Sequence, residues 1–331
     1  MSVTIALAGN PNCGKTTMFN ALTGANQYVG NWPGVTVEKK EGKLKNQKDV
    51  TVTDLPGIYS LSPYTLEEVV SRDYLLKEKP DVIIDLVDAT NIERNLYLAT
   101  QLLEIGIPVV IALNMVDLLK KNNIHINVKG LSSALGCPIV ETSALKGTGL
   151  KEVVDEAIKC ANQHRVPSKQ MEFPKAVEKA VNEIEGFVPA NIAEENKRWY
   201  AVKLLERDSK VKEGLNLPAS AQSRIEEIAS ELEKTEDDDT ESIVTDGRYQ
   251  YIQKVVSANV KRSGNKMTVS DKIDRIVTNR ILGLPIFILT MFIVYYVSVT
   301  TVGTMVTDWT NDSFVGAIQG VVSDGLGNAG V

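Results

Sequence analysis

Residues 9–16 read Gly-Asn-Pro-Asn-Cys-Gly-Lys-Thr and match the pattern G-x-x-x-x-G-K-[ST]. An apolar run at residues 3–8 precedes them and a helical pattern follows, which is the strand-loop-helix context that gives this pattern its meaning. Backbone N–H groups of such a loop surround phosphate oxygens at the N-terminus of the helix. The segment therefore predicts a nucleotide phosphate site formed by Gly9, Asn10, Pro11, Asn12, Cys13, Gly14, Lys15, Thr16 and Thr17.

Two roles in this loop depend on side chains. The Lys15 ammonium is expected to neutralise the outer phosphates, and the Thr16 hydroxyl is expected to bind Mg²⁺. The segment Asp54-Leu-Pro-Gly57 ends a second apolar run. It would place the Asp54 carboxylate beside the metal and the Gly57 N–H where a γ-phosphate is sensed.

Two later segments point to the base of the nucleotide. Asn114-Met-Val-Asp117 ends the run VVIALN, and Thr142-Ser-Ala ends the next one. A carboxylate at Asp117 can accept both N1–H and the 2-amino group of guanine, a pair that adenine does not present. Backbone N–H groups near Ser143 and Ala144 can bind the guanine O6, and Met115 lies within the same segment. The sequence thus predicts GTP and GDP as ligands.

The order of these segments predicts the fold. Residues 3–8, 50–53, 81–87, 108–113 and 138–142 read as strands with helices between several of them, which favours a mostly parallel sheet covered on both faces. Residues 36–45 are more polar and are expected to form an edge strand antiparallel to 50–53. Nucleotides bind at the carboxyl edge of such sheets, where all four motifs are placed.

Residues 1–166 are therefore expected to form one α/β domain, and the pattern then changes. Apolar residues at helical spacing predict a small all-α domain over 167–262, interrupted by the acidic run 236–239, which is expected to be a solvated loop.

The stretch 281–307 contains no charged residue, so we expect it to be a transmembrane helix in contact with lipid. Basic residues dominate the linker 263–280, whereas Asp308 and Asp312 follow the span, and this asymmetry predicts that residues 1–280 are cytosolic. Residues 308–331 are expected to be an extracytoplasmic loop with a short amphipathic helix near 314–322. A single span cannot enclose a pore, so we expect the sequence to be a fragment of a longer protein.

Composition excludes several classes of protein. The 331 residues carry 36 Lys and Arg against 42 Asp and Glu, a net charge of −6, which argues against a nucleic-acid binder. Three scattered cysteines form no zinc or disulfide pattern and fit a reducing compartment. The N-terminus lacks the pattern of a signal peptide.

The four motifs together resemble the Era/Ras-type P-loop GTPases. Residues 30–42, Gly-Asn-Trp-Pro-Gly-Val-Thr-Val-Glu-Lys-Lys-Glu-Gly, more narrowly resemble the switch I segment of the FeoB ferrous iron transporters, as do the helical region and residues 274–287. The resemblance implies that Thr36 joins Thr16 and Asp54 on Mg²⁺, and that Lys15, Thr36 and Gly57 are the catalytic residues. It also implies a K⁺ site formed by Asn12 and the carbonyls of Gly30 and Trp32.

The same resemblance implies a role for the whole chain. The helical domain would act like a dissociation inhibitor that stabilises the GDP state and relays the nucleotide state to a pore. The transported ion would be Fe²⁺, bound outside these residues, in the bacterial inner membrane. Small cytosolic Feo proteins and further copies of the chain are the implied protein partners.

Four positions depart from the Ras pattern. Ile58 stands where Ras-type enzymes carry a glutamine that orients the attacking water, so we expect slow hydrolysis that K⁺ stimulates. Met115 and Val116 stand where many relatives have a lysine over the base, so modest nucleotide affinity is expected. Cys13 is expected to be a small filler residue without redox chemistry.

Two other functions share these motifs. A membrane-anchored signalling GTPase, whose single span only localises it, has the same composition and the same nucleotide motifs. A ribosome-assembly GTPase would carry a basic RNA-binding appendage, whereas the second domain here contains an acidic run. The resemblance at residues 30–42 and at the span favours the cytosolic part of an iron transporter.

Overall fold

The structure, a computed structural model, describes residues 2–24, 27–45, 47–62, 64–169, 171–262, 277, 283–316, 318–320 and 322. The chain divides into two compact units, Met1–Gly264 and Asn265–Val331. Most of the predicted linker 263–280 lies outside the described residues, as does part of the amphipathic helix expected near 314–322.

A seven-stranded sheet forms the centre of the first unit. Its strands are β1 (Val3–Gly9), β2 (Gln27–Asn31), β3 (Glu38–Leu44), β4 (Gln47–Asp54), β5 (Val82–Asp88), β6 (Val109–Asn114) and β8 (Ile139–Glu141), in the order β2-β3-β4-β1-β5-β6-β8. Neighbouring strands from β4 to β8 are parallel, so their carboxyl ends meet at one edge. The expected mostly parallel sheet is confirmed.

One prediction about this sheet is wrong. Strand β3 pairs antiparallel with β4 as expected, with Lys40 opposite Asp54, but it is not the edge strand, because β2 pairs along its other side. The sequence of β2, QYVGN, is short and contains glycine, so it carries little strand signal on its own.

Helices cover both faces of the sheet. They are α1 (Lys15–Thr23), α2 (Leu66–Asp73, continued by a π-helical turn at Tyr74–Glu78), α3 (Ile92–Leu103), α4 (Val116–Leu119), α5 (Val128–Leu135) and α6 (Leu150–Asn162). The strands are apolar on both faces, which gives two cores. One core lies beneath α1 and α6, and the other includes α3 and continues into the helical region.

The helical region comprises α7 (Lys175–Glu185), α8 (Glu194–Leu205), α9 (Ser209–Leu215), α10 (Ala219–Glu236) and α11 (Thr240–Asn259). The acidic run ends α10 and begins α11, where Asp239 accepts a 2.9 Å hydrogen bond from the Ser242 N–H. Strand β9 (Val260–Arg262) then pairs antiparallel with β7 (Ile124–Ile126). This second sheet joins the end of the helical region to the chain that follows the Asn114–Asp117 motif.

One helix among the described residues, Gly283–Gly320, is long and apolar enough to cross a membrane. It comprises α12 (Gly283–Tyr296), a π-helical segment, α13 (Thr304–Trp309) and a second π-helical segment that ends at Val315. Helical structure therefore continues past residue 307, where a loop was expected. Threonine side chains there bond the carbonyl four residues earlier, as Thr310 does with Val306, so the polar residues are accommodated within the helix.

Candidate functional site

A cavity of about 720 Å³ lies at the carboxyl edge of the parallel strands. Its lining comes from loops that follow β1, β4, β6 and β8, because parallel strands bring the ends of these segments together. The lining residues are Asn10, Pro11, Asn12, Gly14, Lys15, Thr16, Thr17, Gly57, Asn114, Met115, Asp117, Leu118, Ser143, Ala144 and Leu145.

The phosphate loop takes a conformation that its sequence permits. Asn12 and Gly14 have φ values of 67° and 94°, in the left-handed region. Asparagine and glycine adopt that region most readily. A Cβ atom on Gly14 would lie 2.5 Å from the Asn114 amide nitrogen, so the position also has no space for a side chain. The loop then opens α1 at Lys15.

Lys15 and Asp54 form an ion pair inside the site. The Lys15 Nζ lies 2.7 Å from Asp54 Oδ1, and their side chains are 10% and 7% exposed. The carboxylate and the Thr16 hydroxyl are hard oxygen donors of the kind that Mg²⁺ prefers. The Lys15 ammonium and the Asp54 carboxylate therefore lie side by side next to the phosphate loop.

Asn114 connects the phosphate loop to the base-binding segments. Its amide nitrogen donates a 2.8 Å hydrogen bond to the Cys13 carbonyl, and its Oδ1 accepts a 2.9 Å hydrogen bond from the Ala144 N–H. Asn114 is 2% exposed, so both bonds are shielded from water. Its principal contacts are thus with the protein, and it fixes the geometry of the cavity.

Asp117 supplies the carboxylate among the described residues that line the cavity. A hydrogen bond from the Ser143 side chain and the nearby Lys146 hold the pKa of Asp117 below its usual range, so it is ionised at neutral pH. Lys146 Nζ lies 3.3 Å from Asp117 Oδ2. An ionised carboxylate is the form that accepts two hydrogen bonds from guanine.

The backbone donors near the base differ from the expectation. The Ser143 N–H donates to the Thr148 carbonyl at 3.0 Å, and the Ala144 N–H donates to Asn114. Both N–H groups expected to bind guanine O6 therefore already have acceptors in the protein. Hydrogen bonding within a turn depends on how the loop folds back on itself, which the tripeptide Thr-Ser-Ala does not encode.

Three residues expected at the nucleotide are not brought to it. Gly30, Trp32 and Thr36 are not among the described residues that line the cavity. Thr36 is exposed, and Trp32 is buried and lines a second cavity together with residues of β3 and β4. The Trp32 carbonyl accepts a hydrogen bond from the Val35 N–H at 3.2 Å. In this conformation the expected Mg²⁺ ligand Thr36 and the residues of the expected K⁺ carbonyls are therefore not among the described lining residues, which include Asn12 and Thr16.

Ile58 and Cys13 are both buried in the hydrophobic core. Ile58 is 2% exposed, packs in the core and is not among the described residues that line the cavity. Cys13 is 1% exposed, and burial is the largest cause that raises the pKa of its thiol, to about 12. A thiol that stays protonated at neutral pH is a poor nucleophile.

Sequence reasoning missed three residues beside the base-binding segments. Leu118 and Leu145 line the cavity, and Lys146 pairs with Asp117. Leu145 is 85% exposed, so its side chain is accessible to a molecule that enters the cavity. All three follow within two residues of a recognised motif. Their closeness to a motif in the sequence could have identified them as site residues.

Comparison with protein families gives two matches. The family model described as ferrous iron transport protein B matches residues 3–157, and the model described as FeoB cytosolic helical domain matches residues 173–261. Among curated proteins, the Fe(2+) transporter FeoB of Shigella flexneri is 39% identical over 316 residues, which is 92% of this chain. A fusion of Fe(2+) transport protein A and Fe(2+) transporter FeoB from Porphyromonas gingivalis is 40% identical over 308 residues, 88% of this chain.

Solved structures are similar over the first unit. A GDP-bound mutant of the S. thermophilus FeoB G-domain is 47% identical, with a TM-score of 0.76, and covers 78% of this chain and all of its own. The mGMPPNP-bound NFeoB from S. thermophilus is 47% identical, with a TM-score of 0.70, over 80% of this chain and all of its own. The chain spans 39% and 36% of the length of the two curated relatives.

Proposed function

The chain belongs to the FeoB family of ferrous iron transport proteins, and we propose that its first unit binds and hydrolyses GTP as the cytosolic part of a bacterial Fe²⁺ uptake transporter. The observation that carries this proposal is the single cavity in which the phosphate loop, Gly57 and Asp117 meet. Family membership favours this function over a single-span signalling GTPase.

Each group in the cavity has a role that its chemistry supports. The loop N–H groups and Lys15 bind the phosphate chain, and Asp117 selects guanine. Thr16 and Asp54 are the residues that would hold Mg²⁺, which supplies positive charge to the β- and γ-phosphates when bound. For that to happen Lys15 must exchange its 2.7 Å partner Asp54 for a phosphate oxygen. In the absence of nucleotide, Lys15 and Asp54 therefore neutralise each other. We expect the two side chains to separate when a nucleotide binds.

The test of this proposal is nucleotide binding and hydrolysis by the full chain. Wild type is expected to bind GDP and to release phosphate from GTP, whereas Lys15→Ala is expected to lose both. Lys159→Ala is the matched control, because Lys159 is exposed on α6 and pairs there with Glu156. Equal calorimetric titrations of wild type and Lys15→Ala with GDP would contradict the proposal.

We further propose that the helical region senses the nucleotide through the segment after Gly57. Lys203 of α8 is 1% exposed and its Nζ lies 3.4 Å from the Ser62 hydroxyl, in that segment. Arg72 of α2 pairs with Asp208, the residue that caps α9. Two buried cations therefore connect the segment after Gly57 to α8 and α9, which supports the expected role of the helical domain.

A point variant tests this relay better than removal of the helical domain, because α3 and the helical region share one core. Ser62→Ala is expected to speed GDP release roughly twofold to tenfold, which corresponds to the loss of one hydrogen bond of about 0.5–1.5 kcal/mol. Ser168→Ala, which removes a 3.2 Å bond to the Gly136 carbonyl, serves as the control. Identical release rates in both variants would argue against the relay.

Transport itself is proposed from the family. We propose that Gly283–Gly320 spans the bacterial inner membrane and that Fe²⁺ crosses through parts of the protein beyond these residues. The fused relative from Porphyromonas gingivalis supports a small Fe(2+) transport protein A homologue as a partner. Loss of ⁵⁵Fe²⁺ uptake in cells whose gene carries Lys15→Ala would support coupling between nucleotide and transport.

A further inference from the structure

Trp32 is buried beside β3 and β4 in a position, called the seat below, that borders a second cavity and does not line the nucleotide cavity. Its indole ring is 8% exposed and meets the ring of Tyr74 edge-on, with 5.3 Å between the ring centroids. Lys39 Nζ lies 5.1 Å from the indole centroid. The Tyr74 hydroxyl is fixed in turn by a 3.1 Å hydrogen bond to the Thr53 hydroxyl. These contacts hold residues 32–35 against the helix that follows the Gly57 segment.

The backbone of Trp32 also restrains Thr36. The Trp32 N–H donates to the Val37 carbonyl at 2.9 Å, and the Trp32 carbonyl accepts from the Val35 N–H at 3.2 Å. Both neighbours of Thr36 are thereby bonded to Trp32, through a turn in which Gly34 has a φ of 76°. Thr36 cannot move to the nucleotide cavity while these two bonds and the seated indole remain in place.

We propose that the seating of Trp32 against Tyr74 is a latch that holds Thr36 away from the nucleotide until a triphosphate draws it in. Trp32 is then a positioning residue: it touches no nucleotide, and it sets the equilibrium between latched and unlatched forms of switch I. This proposal rests on the proposed GTPase function, because only the recruitment of Thr36 by Mg²⁺ and the γ-phosphate would oppose the latch.

The latch contains a feature that keeps it reversible. Among the described residues, the Trp32 indole N–H is buried and has no hydrogen-bond acceptor. A buried donor without a partner offsets part of the favourable packing of the ring. The seat also borders a cavity of about 550 Å³, so the ring is not enclosed on all sides. A tightly bound aromatic ring with an unsatisfied donor and an open side can leave when an opposing interaction forms.

The latch has a quantitative consequence for nucleotide preference. A triphosphate must unlatch switch I before Thr36 can bind, so its apparent affinity is reduced by the fraction of molecules that are unlatched. GDP makes no such demand. Trp32→Ala and Tyr74→Ala are therefore expected to raise affinity for the GTP analogue GMPPNP by roughly threefold to tenfold and to leave GDP affinity unchanged.

The experiment measures GMPPNP and GDP affinities, each with Mg²⁺, on the full chain in detergent. Tyr64→Ala is the control, because Tyr64 is an exposed tyrosine that lines neither cavity. The double variant Trp32→Ala, Tyr74→Ala is expected to have nearly the same GMPPNP affinity as either single variant, since both substitutions remove the same contact. An unchanged GMPPNP-to-GDP affinity ratio in both single variants would overturn the latch.

A second measurement needs no substitution at the seat. The chain has three tryptophans, Trp32, Trp199 and Trp309, which 5-fluorotryptophan labelling resolves by ¹⁹F NMR, with Trp199→Phe and Trp309→Phe used for assignment. The Trp32 signal is expected to shift with GMPPNP and to stay in place with GDP. A Trp32 signal that is identical with both nucleotides overturns the latch, whereas wild-type protein that binds neither nucleotide overturns the proposed function.

Discussion

The Arg72 guanidinium donates a 2.8 Å hydrogen bond to the Asp208 carboxylate, and both side chains are 3% exposed. The second carboxylate oxygen accepts a 3.1 Å hydrogen bond from the Val211 N–H at the start of α9. One buried aspartate therefore caps a helix of the helical region and neutralises a cation on the helix that follows Gly57. The contact lies between residues 136 positions apart in sequence.

Removal of Arg72 is expected to be costly. Arg72→Met leaves the Asp208 carboxylate buried without its cation, so the free energy of unfolding should fall by about 3–5 kcal/mol. Urea unfolding measures this change. Lys77→Met is the control, because the Lys77–Asp73 pair has side chains that are 72% and 42% exposed, and such pairs contribute roughly 0–1 kcal/mol. Similar losses in the two variants would contradict the buried role of Arg72.

The buried carboxyl of Asp85 makes stability depend on pH. Asp85 lies in β5, is 1% exposed, and burial raises its pKa to about 7. The folded state then holds a proton that the unfolded state releases near its ordinary pKa of about 3.9. The Asp85 contribution to stability should therefore fall as pH rises from about 4 to about 7, by at most about 1.4 kcal/mol per pH unit.

Asp85→Asn isolates this contribution, since asparagine has the same shape and does not ionise. The variant and wild type are expected to have similar free energies of unfolding near pH 4, and the variant should be more stable at pH 8. The difference between the two proteins cancels every other titrating group. A difference that stays constant between pH 4 and pH 8 would show that folding does not raise the pKa of Asp85.

Asp117 is expected to determine which base is bound. Asp117→Asn replaces an acceptor by a donor, so preference should move from guanine to xanthine, which presents an oxygen where guanine has its amino group. Competition between GDP and xanthosine diphosphate measures the preference. The exposed Asp155 of α6 offers the matched control, Asp155→Asn, which should retain guanine. Retention of guanine by both variants would remove Asp117 from the base site.

Potassium is expected to accelerate hydrolysis. Asn12 lines the cavity at the phosphate loop, and Ile58 is buried in the core, so no glutamine-like side chain orients water at that position. A cation beside Asn12 would supply the charge that an arginine supplies in other GTPases. GTPase rates in matched KCl and NaCl should favour KCl severalfold in wild type and be equal in Asn12→Ala. Equal rates in wild type would remove the potassium site.

The sequence located the nucleotide cavity because its motifs are local and their arrangement follows from topology. Gly9, Asp54 and Asn114 each end a parallel strand, and parallel strands that lie side by side share a carboxyl edge. The strand positions were predicted to within a few residues for the same reason, since apolar β-branched runs form strands buried on both faces. The polar strand β2 carried no such signal and was missed.

Contacts between distant residues were decided only by the tertiary structure. The burial of Ile58, the acceptors of the Ser143 and Ala144 N–H groups, the Arg72–Asp208 pair and the seat of Trp32 all depend on which surfaces meet after folding. Local sequence fixes what each residue can donate, accept or bury. The packing of segments far apart in the chain decides which partner each residue contacts. The position of Thr36 depends on such packing.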